Sequence, residues 1–153
     1  GSEMCIRDRV RNMGVVEGSP IATDNDWEQI KRGGDRAIQT WINEQMKGTS
    51  CCVVPIGSAT AGRKWVTYEI ERAWAAGKGV VGVHIHHLKN LKGEQSTKGA
   101  NPLATAKTPE GYRVSLFAMT YDPPTSDSKT AYAYIKTNLA SWIEQAISIR
   151  NAA

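Results

Sequence analysis

Between Ser50 and Glu71 the chain passes from an apolar run, through a small polar stretch, to an apolar stripe of helical period. Cys51 to Ile56 is nearly unbroken in its hydrophobicity, the pattern of a strand buried on both faces of a parallel sheet. Pro55 is tolerable there only near the strand's end. Gly57 to Gly62 suits a loop at the carboxyl end of that strand, where open α/β sheets bind ligands. Val66, Ile70, Ala73, Trp74 and Gly77 then recur at i, i+4, i+7, i+8 and i+11, a stripe that predicts a helix packed on the sheet. Trp65 and Glu69, four residues apart, share one flank of that helix. The spacing places the Glu69 carboxylate in the first turns, just outside the strand's carboxyl end.

Similar patterns flank this unit. Upstream, Ile30, Gly34, Ala37, Ile38, Trp41, Ile42 and Met46 predict a helix from Asp26, with Asp26 and Gln29 as a capping-box variant and Gly48 as its C-terminal cap. Gly34 lies on the stripe itself, which suits close approach to a neighbouring element; the alternative is a break at the Gly33-Gly34 pair. Val10 to Thr23 reads as the remnant of a helix or short strand followed by a loop. Downstream, Val80 to His86 is a second buried strand and His87 to Gly111 a long polar loop without a period. Arg113 to Tyr121 reads as a third strand. Ser128 to Arg150 reads as an amphipathic helix with Tyr134, Ile135, Leu139, Trp142, Ile143, Ala146 and Ile147 inward. Strands alternating with helices predict a parallel α/β sheet covered on both faces.

Composition narrows the class. With 153 residues and 41% hydrophobic content the chain can bury the core of one domain. No apolar run approaches a membrane span, and no charged-then-apolar leader of the secretory kind is present, so the expectation is a cytoplasmic protein without membrane partners. Cys51 and Cys52 are adjacent in a strand, so their side chains point to opposite faces, and they read as small core residues in a reducing compartment. The net charge of +4 comes from scattered Lys and Arg, a solvated surface rather than a nucleic-acid footprint. Gly1-Ser2 looks like the scar of a cleaved tag and Glu3 to Arg9 like a non-native leader, which leaves residues 10–150 as the expected domain and 151–153 as a tail.

Several motifs in order carry a resemblance. D-W-E-Q-I-K-R-G-G-D-R-A-I-Q-T-W-I from Asp26, P-I-G-S-A-T-A-G-R-K-W-V-T-Y-E-I from Pro55, G-V-H-I-H-H-L-K-N from Gly82 and G-A-N-P from Gly99 together resemble the TIR-like proteins of the Thoeris anti-phage defence system. Trp65 to Glu69 also matches the W-x-x-x-E pattern that TIR NAD-cleaving enzymes carry in this helix, with the Glu catalytic. The resemblance implies a three-layer flavodoxin-like domain that cleaves NAD and makes a cyclic ADP-ribose isomer. NAD is then a substrate rather than a cofactor, the active form is self-associated, and a separate effector protein reads the nucleotide signal. Family members open with a hydrophobic first strand, and that region is here missing or replaced by Glu3 to Arg9.

The resemblance makes Glu69 the candidate catalyst, stabilising positive charge on the ribose. By spacing alone it could equally pair with Arg72 or Lys64 on a solvated helix. Trp65 walls the crevice or belongs to the core. Ser58, Thr60 and the free N–H groups at the helix start could hold phosphate or ribose, with Thr60 as an N-cap the alternative. The Gly57 to Lys64 stretch fails as a P-loop, because there the Lys directly follows the second Gly and precedes Ser or Thr. His84, His86 and His87 lack a third ligand at metal spacing, so no metal is expected. His86, at a strand's carboxyl end, borders the crevice, and Asn101 reaches substrate or shapes its turn. Asp24 and Trp27 are candidates for ligand or subunit contact. The rival reading is a non-enzymatic TIR-like module acting through protein contacts. A receiver or flavin binder is more distant, because neither an acidic receiver pocket nor a flavin-phosphate loop can be read.

Overall fold

The structure, a computed structural model, describes residues 29–30, 32–88 and 93–153. The suspected leader, the Val10 to Thr23 segment, the question of a first strand, and Asp24, Asp26 and Trp27 lie outside the described residues.

Three parallel strands form one sheet in the order β1-β2-β3: β1 (Cys51–Ile56), β2 (Gly79–His84) and the short β3 (Thr120–Tyr121). Register runs from Cys51 opposite Gly79 to Ile56 opposite His84, and Gly82 faces Thr120. Helix α1 (Gly34–Met46) precedes the sheet, α2 (Lys64–Ala75) connects β1 to β2, and α3 (Ser128–Ala152) closes the chain. Side-chain alternation along the strands divides the core into two layers. Cys52, Val54, Ile56 and Val80 meet Val66, Ile70, Ala73 and Trp74 of α2 on one face. Val53, Val81, Val83 and Ile85 meet Ala131, Ile135, Leu139, Trp142 and Ala146 of α3 on the other. Both faces of the sheet are therefore apolar, as the continuous runs in β1 and β2 require.

Local chemistry sets the ends of the elements. Asp127 caps α3 by accepting the Thr130 N–H at 2.9 Å. Gly48 and Gly77 take positive φ just beyond α1 and α2, which lets the chain leave each helix through the left-handed region. The Gly33-Gly34 pair breaks the expected helix: α1 begins at Gly34, whose φ is +82 and whose missing side chain faces open space. The close-approach reading of Gly34 is thereby corrected. β2 runs against α3 so closely that a Cβ on Gly79 would lie 2.7 Å from backbone atoms of Ala146 and Ile147. At the same end Arg150 Nε donates to the Trp74 carbonyl and its guanidinium lies 4.7 Å from that ring, joining the ends of α2 and α3.

The expected strand over Arg113 to Tyr121 is mostly a turn. Val114–Leu116 forms a 3-10 turn and only Thr120–Tyr121 pairs with β2. Val114 and Ala118, four apart, are buried against the α2 layer while Leu116 and Met119 are exposed, a spacing that a strand cannot produce. Tyr134 is exposed rather than inward, and Ala131 takes the buried place at the start of that stripe. None of the helices among the described residues is long and apolar enough to cross a membrane.

Candidate active site

Glu69 is the sixth residue of α2, and its carboxylate meets the second residue of β1. The Cys52 thiol donates to Glu69 Oε1 at 3.4 Å. Cys52 has the parity of Val54 and Ile56, so it points to the α2 side, while its neighbour Cys51 points to the α3 side. Because α2 descends antiparallel to β1, Glu69 stands beside the body of the strand. The expectation of a carboxylate above the strand's carboxyl end is corrected accordingly. Trp65 stands edge-to-face on Tyr68, with ring centroids 5.6 Å apart, and Lys64 Nζ lies 4.7 Å from the Trp65 ring. Helix α1 supports this flank: Lys64 pairs with Asp35 at 2.7 Å, and the Tyr68 hydroxyl donates to Asn43 Oδ1 at 3.2 Å. Trp65 is half-buried on this flank, not in the core.

The remaining candidates gather elsewhere, at the carboxyl ends of the strands. Ser58 is exposed in the turn after β1. Thr60 is buried, and its hydroxyl accepts the Gly57 N–H at 2.7 Å, so it holds the turn and does not cap α2, whose N-cap is Arg63. Asn101 uses both ends of its amide within the fold. Its Oδ1 accepts from Leu103 N at 3.0 Å and its Nδ2 donates to Thr120 Oγ1 at 2.9 Å, which starts the Pro102–Ala104 turn and ties it to β3. Ahead of Asn101, Gly99 lies against the end of β1, where a Cβ would come within 2.1 Å of the Gly57 carbonyl oxygen. Only glycine fits that approach.

His86 lies in the turn after β2 and is 6% exposed, as is His84 at the strand's last position. Their rings are edge-to-face at 5.9 Å, and His87 tilts against His86 at 3.9 Å. Burial lowers the pKa of both His84 and His86; the Asp122 carboxylate opposes this, and Lys98 with the neighbouring imidazole reinforces it. Lys98 pairs with Asp122 at 3.1 Å. The role of Asp122 and Lys98 was not readable from their positions in a polar loop and a turn; the register that places Asp122 level with His84 supplies it. Among the described residues no group of three or more His, Cys, Asp or Glu is arranged to hold a metal.

Two groups thus emerge, Trp65 with Glu69 along α2, and Ser58, Thr60, Asn101 and His86 around the strand ends. The helix that carries Trp65 and Glu69 falls within the stretch that decides kinship, because residues 3–90, more than half of the chain, match the family described as Thoeris protein ThsB, TIR-like domain. The chain belongs to that family. The match takes in β1, α2 and β2 and ends before β3. The three-layer α/β architecture is the flavodoxin-like TIR fold expected of it. Over 97 residues this TIR-like domain is 35% identical to a protein of Bacillus cereus (strain MSX-D12) whose name reads "Putative cyclic ADP-D-ribose synthase ThsB1". That match covers 61% of the present chain and 50% of the relative, so the TIR-like domain spans about half the length of the curated protein it matches.

Proposed function

We propose that this TIR-like domain cleaves the bond between nicotinamide and ribose in NAD and closes the remaining ADP-ribose on itself, with Glu69 as the catalytic carboxylate. The observation that carries the reading is the partly buried Glu69 side chain, set on the W-x-x-x-E helix of a Thoeris TIR-like domain and contacted by the Cys52 thiol. The printed name of the Bacillus cereus relative supports a cyclic ADP-ribose product.

Nicotinamide departs with the electron pair of the broken C–N bond and becomes neutral, so no acid is needed to protonate it. Positive charge develops on C1′ and the ring oxygen of the ribose. The Glu69 carboxylate opposes that charge and accepts a hydrogen bond from a ribose hydroxyl. A hydroxyl or adenine nitrogen of the same molecule then supplies the pair for the new bond to C1′, and where a hydroxyl attacks, its proton is released to solvent. Ring closure outruns hydrolysis only where water is kept out, a task that suits the Trp65 and Tyr68 rings beside Glu69. Ser58 and His86 would bind the rest of the nucleotide at the strand ends, where Thr60 and Asn101 fix the turns that frame it. Self-association completes the active form, and an effector protein reads the product.

Incubation of the protein with NAD, followed by chromatography, tests the proposal: free nicotinamide and a cyclic product are expected. Glu69→Gln should lower turnover by at least about 100-fold, the scale of losing one transition-state electrostatic partner. Full activity in that variant would remove Glu69 from the mechanism. No nicotinamide release at all would favour an interaction module, a reading that draws on the exposed apolar row of Tyr112, Leu116, Phe117 and Met119.

A further inference from the structure

His84 and His86 present an unusual combination. Each ring is almost fully buried, and the Nδ1 of each has no hydrogen-bond partner among the described residues. Buried polar atoms are paired in the great majority of cases, because an unpaired one forfeits its water without compensation. Two such atoms on neighbouring rings, at the carboxyl end of a central parallel strand, fall where open α/β sheets take ligands. Asp122 and Lys98 stand over the same spot: Thr120 faces Gly82 and Tyr121 faces Val83, which brings Asp122 level with His84.

We propose that His84, His86, Asp122 and Lys98 form a second ligand subsite at the carboxyl end of β2, which holds the vicinal hydroxyls of an uncharged ribosyl group. The charge balance selects the ligand. Lys98 and Asp122 neutralise one another, and both imidazoles are neutral at pH 7 because burial disfavours their charged forms. A phosphate would have to approach the Asp122 carboxylate with no net positive charge to attract it. A cis-diol instead offers donors to the carboxylate and to an imidazole nitrogen, and an oxygen that accepts from the ammonium group or the other imidazole. Glu69 lies elsewhere, against Cys52, so this subsite grips a ribosyl group apart from the proposed bond cleavage. Only the identification of that group with a ribose of NAD rests on the function proposed above.

Access requires the segment over the histidines to give way, and it is held there by a few hydrogen bonds rather than by sheet pairing. Gln95 Nε2 donates to the carbonyls of His87 and Ser126 at 2.7 Å each, Ser96 N donates to the His86 carbonyl at 3.1 Å, and Lys98 reaches Asp122 through an exposed ion pair. Both side chains of that pair keep contact with solvent, which screens it, so a diol can take its place.

The test is a titration of the whole protein with adenosine, which carries the diol and no charge, read from the imidazole resonances of His84 and His86. Those signals are assigned by comparison with His84→Gln and His86→Gln. Adenosine should shift both resonances, 2′,3′-dideoxyadenosine should bind roughly tenfold more weakly for loss of its two hydroxyl contacts, and inorganic phosphate should leave both unmoved. Absence of any shift with adenosine overturns the proposal, as does equal binding of the dideoxy nucleoside or a response to phosphate in its place. Adenosine has no nicotinamide bond, so this result is independent of whether the protein turns over NAD.

Discussion

Cys52 and Glu69 meet across 3.4 Å, a strand thiol donating to a helix carboxylate 17 positions along the chain. The contact holds one carboxylate oxygen on the β1 side of α2. Cys52→Val keeps the volume and removes the donor. The expected result is a near-normal melting temperature with a loss of roughly fivefold in kcat for the proposed NAD cleavage, the worth of about 1 kcal/mol of hydrogen bonding. Cys52→Ser, which restores a donor, should recover most of that loss. Equal kcat in the Val variant would show that Glu69 needs no orientation from the strand.

Gly79, the first residue of β2, lies directly against the backbone of α3. A methyl group at this position would stand 2.7 Å from the Ala146 carbonyl carbon and the Ile147 nitrogen, atoms that cannot swing aside. Gly79→Ala should therefore destabilise the fold by about 1–3 kcal/mol, the usual cost of overpacking. A urea titration reads this as a lower midpoint with an unchanged slope. Gly111→Ala provides a contrast. Its Cβ would enter open space, so the cost there comes from its φ of +92 alone.

Stability should fall as the solution becomes acidic, through His84 and His86. Their pKa values are lower folded than unfolded, so the unfolded chain binds more protons in the window between the two. The stabilisation is complete above the unfolded value of about 6.5 and is lost as pH falls through the folded values. Asp122 limits the effect, and Lys98 and His87 add to it. Melting temperatures measured from pH 7.5 downward should decline below about pH 6.5, and His84→Gln with His86→Gln should flatten that slope.

Cys51 should be inert. Burial pushes its thiol up to about 12, four units above a labelling pH of about 8, which leaves on the order of one molecule in ten thousand as thiolate. Peptide mapping after brief iodoacetamide treatment at that pH should find Cys51 unmodified in the folded protein and modified once urea is added.

Much of this was legible in the residues because burial leaves a period. The Cys51 to Ile56 run, the Val66, Ile70, Ala73, Trp74 stripe and the Ile135, Leu139, Trp142, Ala146 stripe each report which face meets the core, and the structure buries those faces. The Gly33-Gly34 break and the turn at Val114–Leu116 were harder. In both, backbone geometry decides the outcome, and apolar residues such as Leu116 stay exposed instead of following a strand's alternation. The W-x-x-x-E helix was visible as a pattern, whereas the depth at which Glu69 meets β1 depends on how far a helix and a strand advance per residue. The meeting of Asp122 and Lys98 near His84 and His86 joins segments separated in sequence, and no local signal encodes it.

The two adjacent cysteines differ only in the parity of their positions, and that parity is fixed by the pairing of Cys51 with Gly79 and of Ile56 with His84. A slip of β1 by one residue would leave composition, hydrophobicity and strand length untouched. It would nevertheless turn Cys52 toward α3, offer Cys51 to Glu69, and put a different residue beside His84. One strand register therefore works as a common ruler for two chemical neighbourhoods, and an insertion or deletion in β1 should disturb both at once.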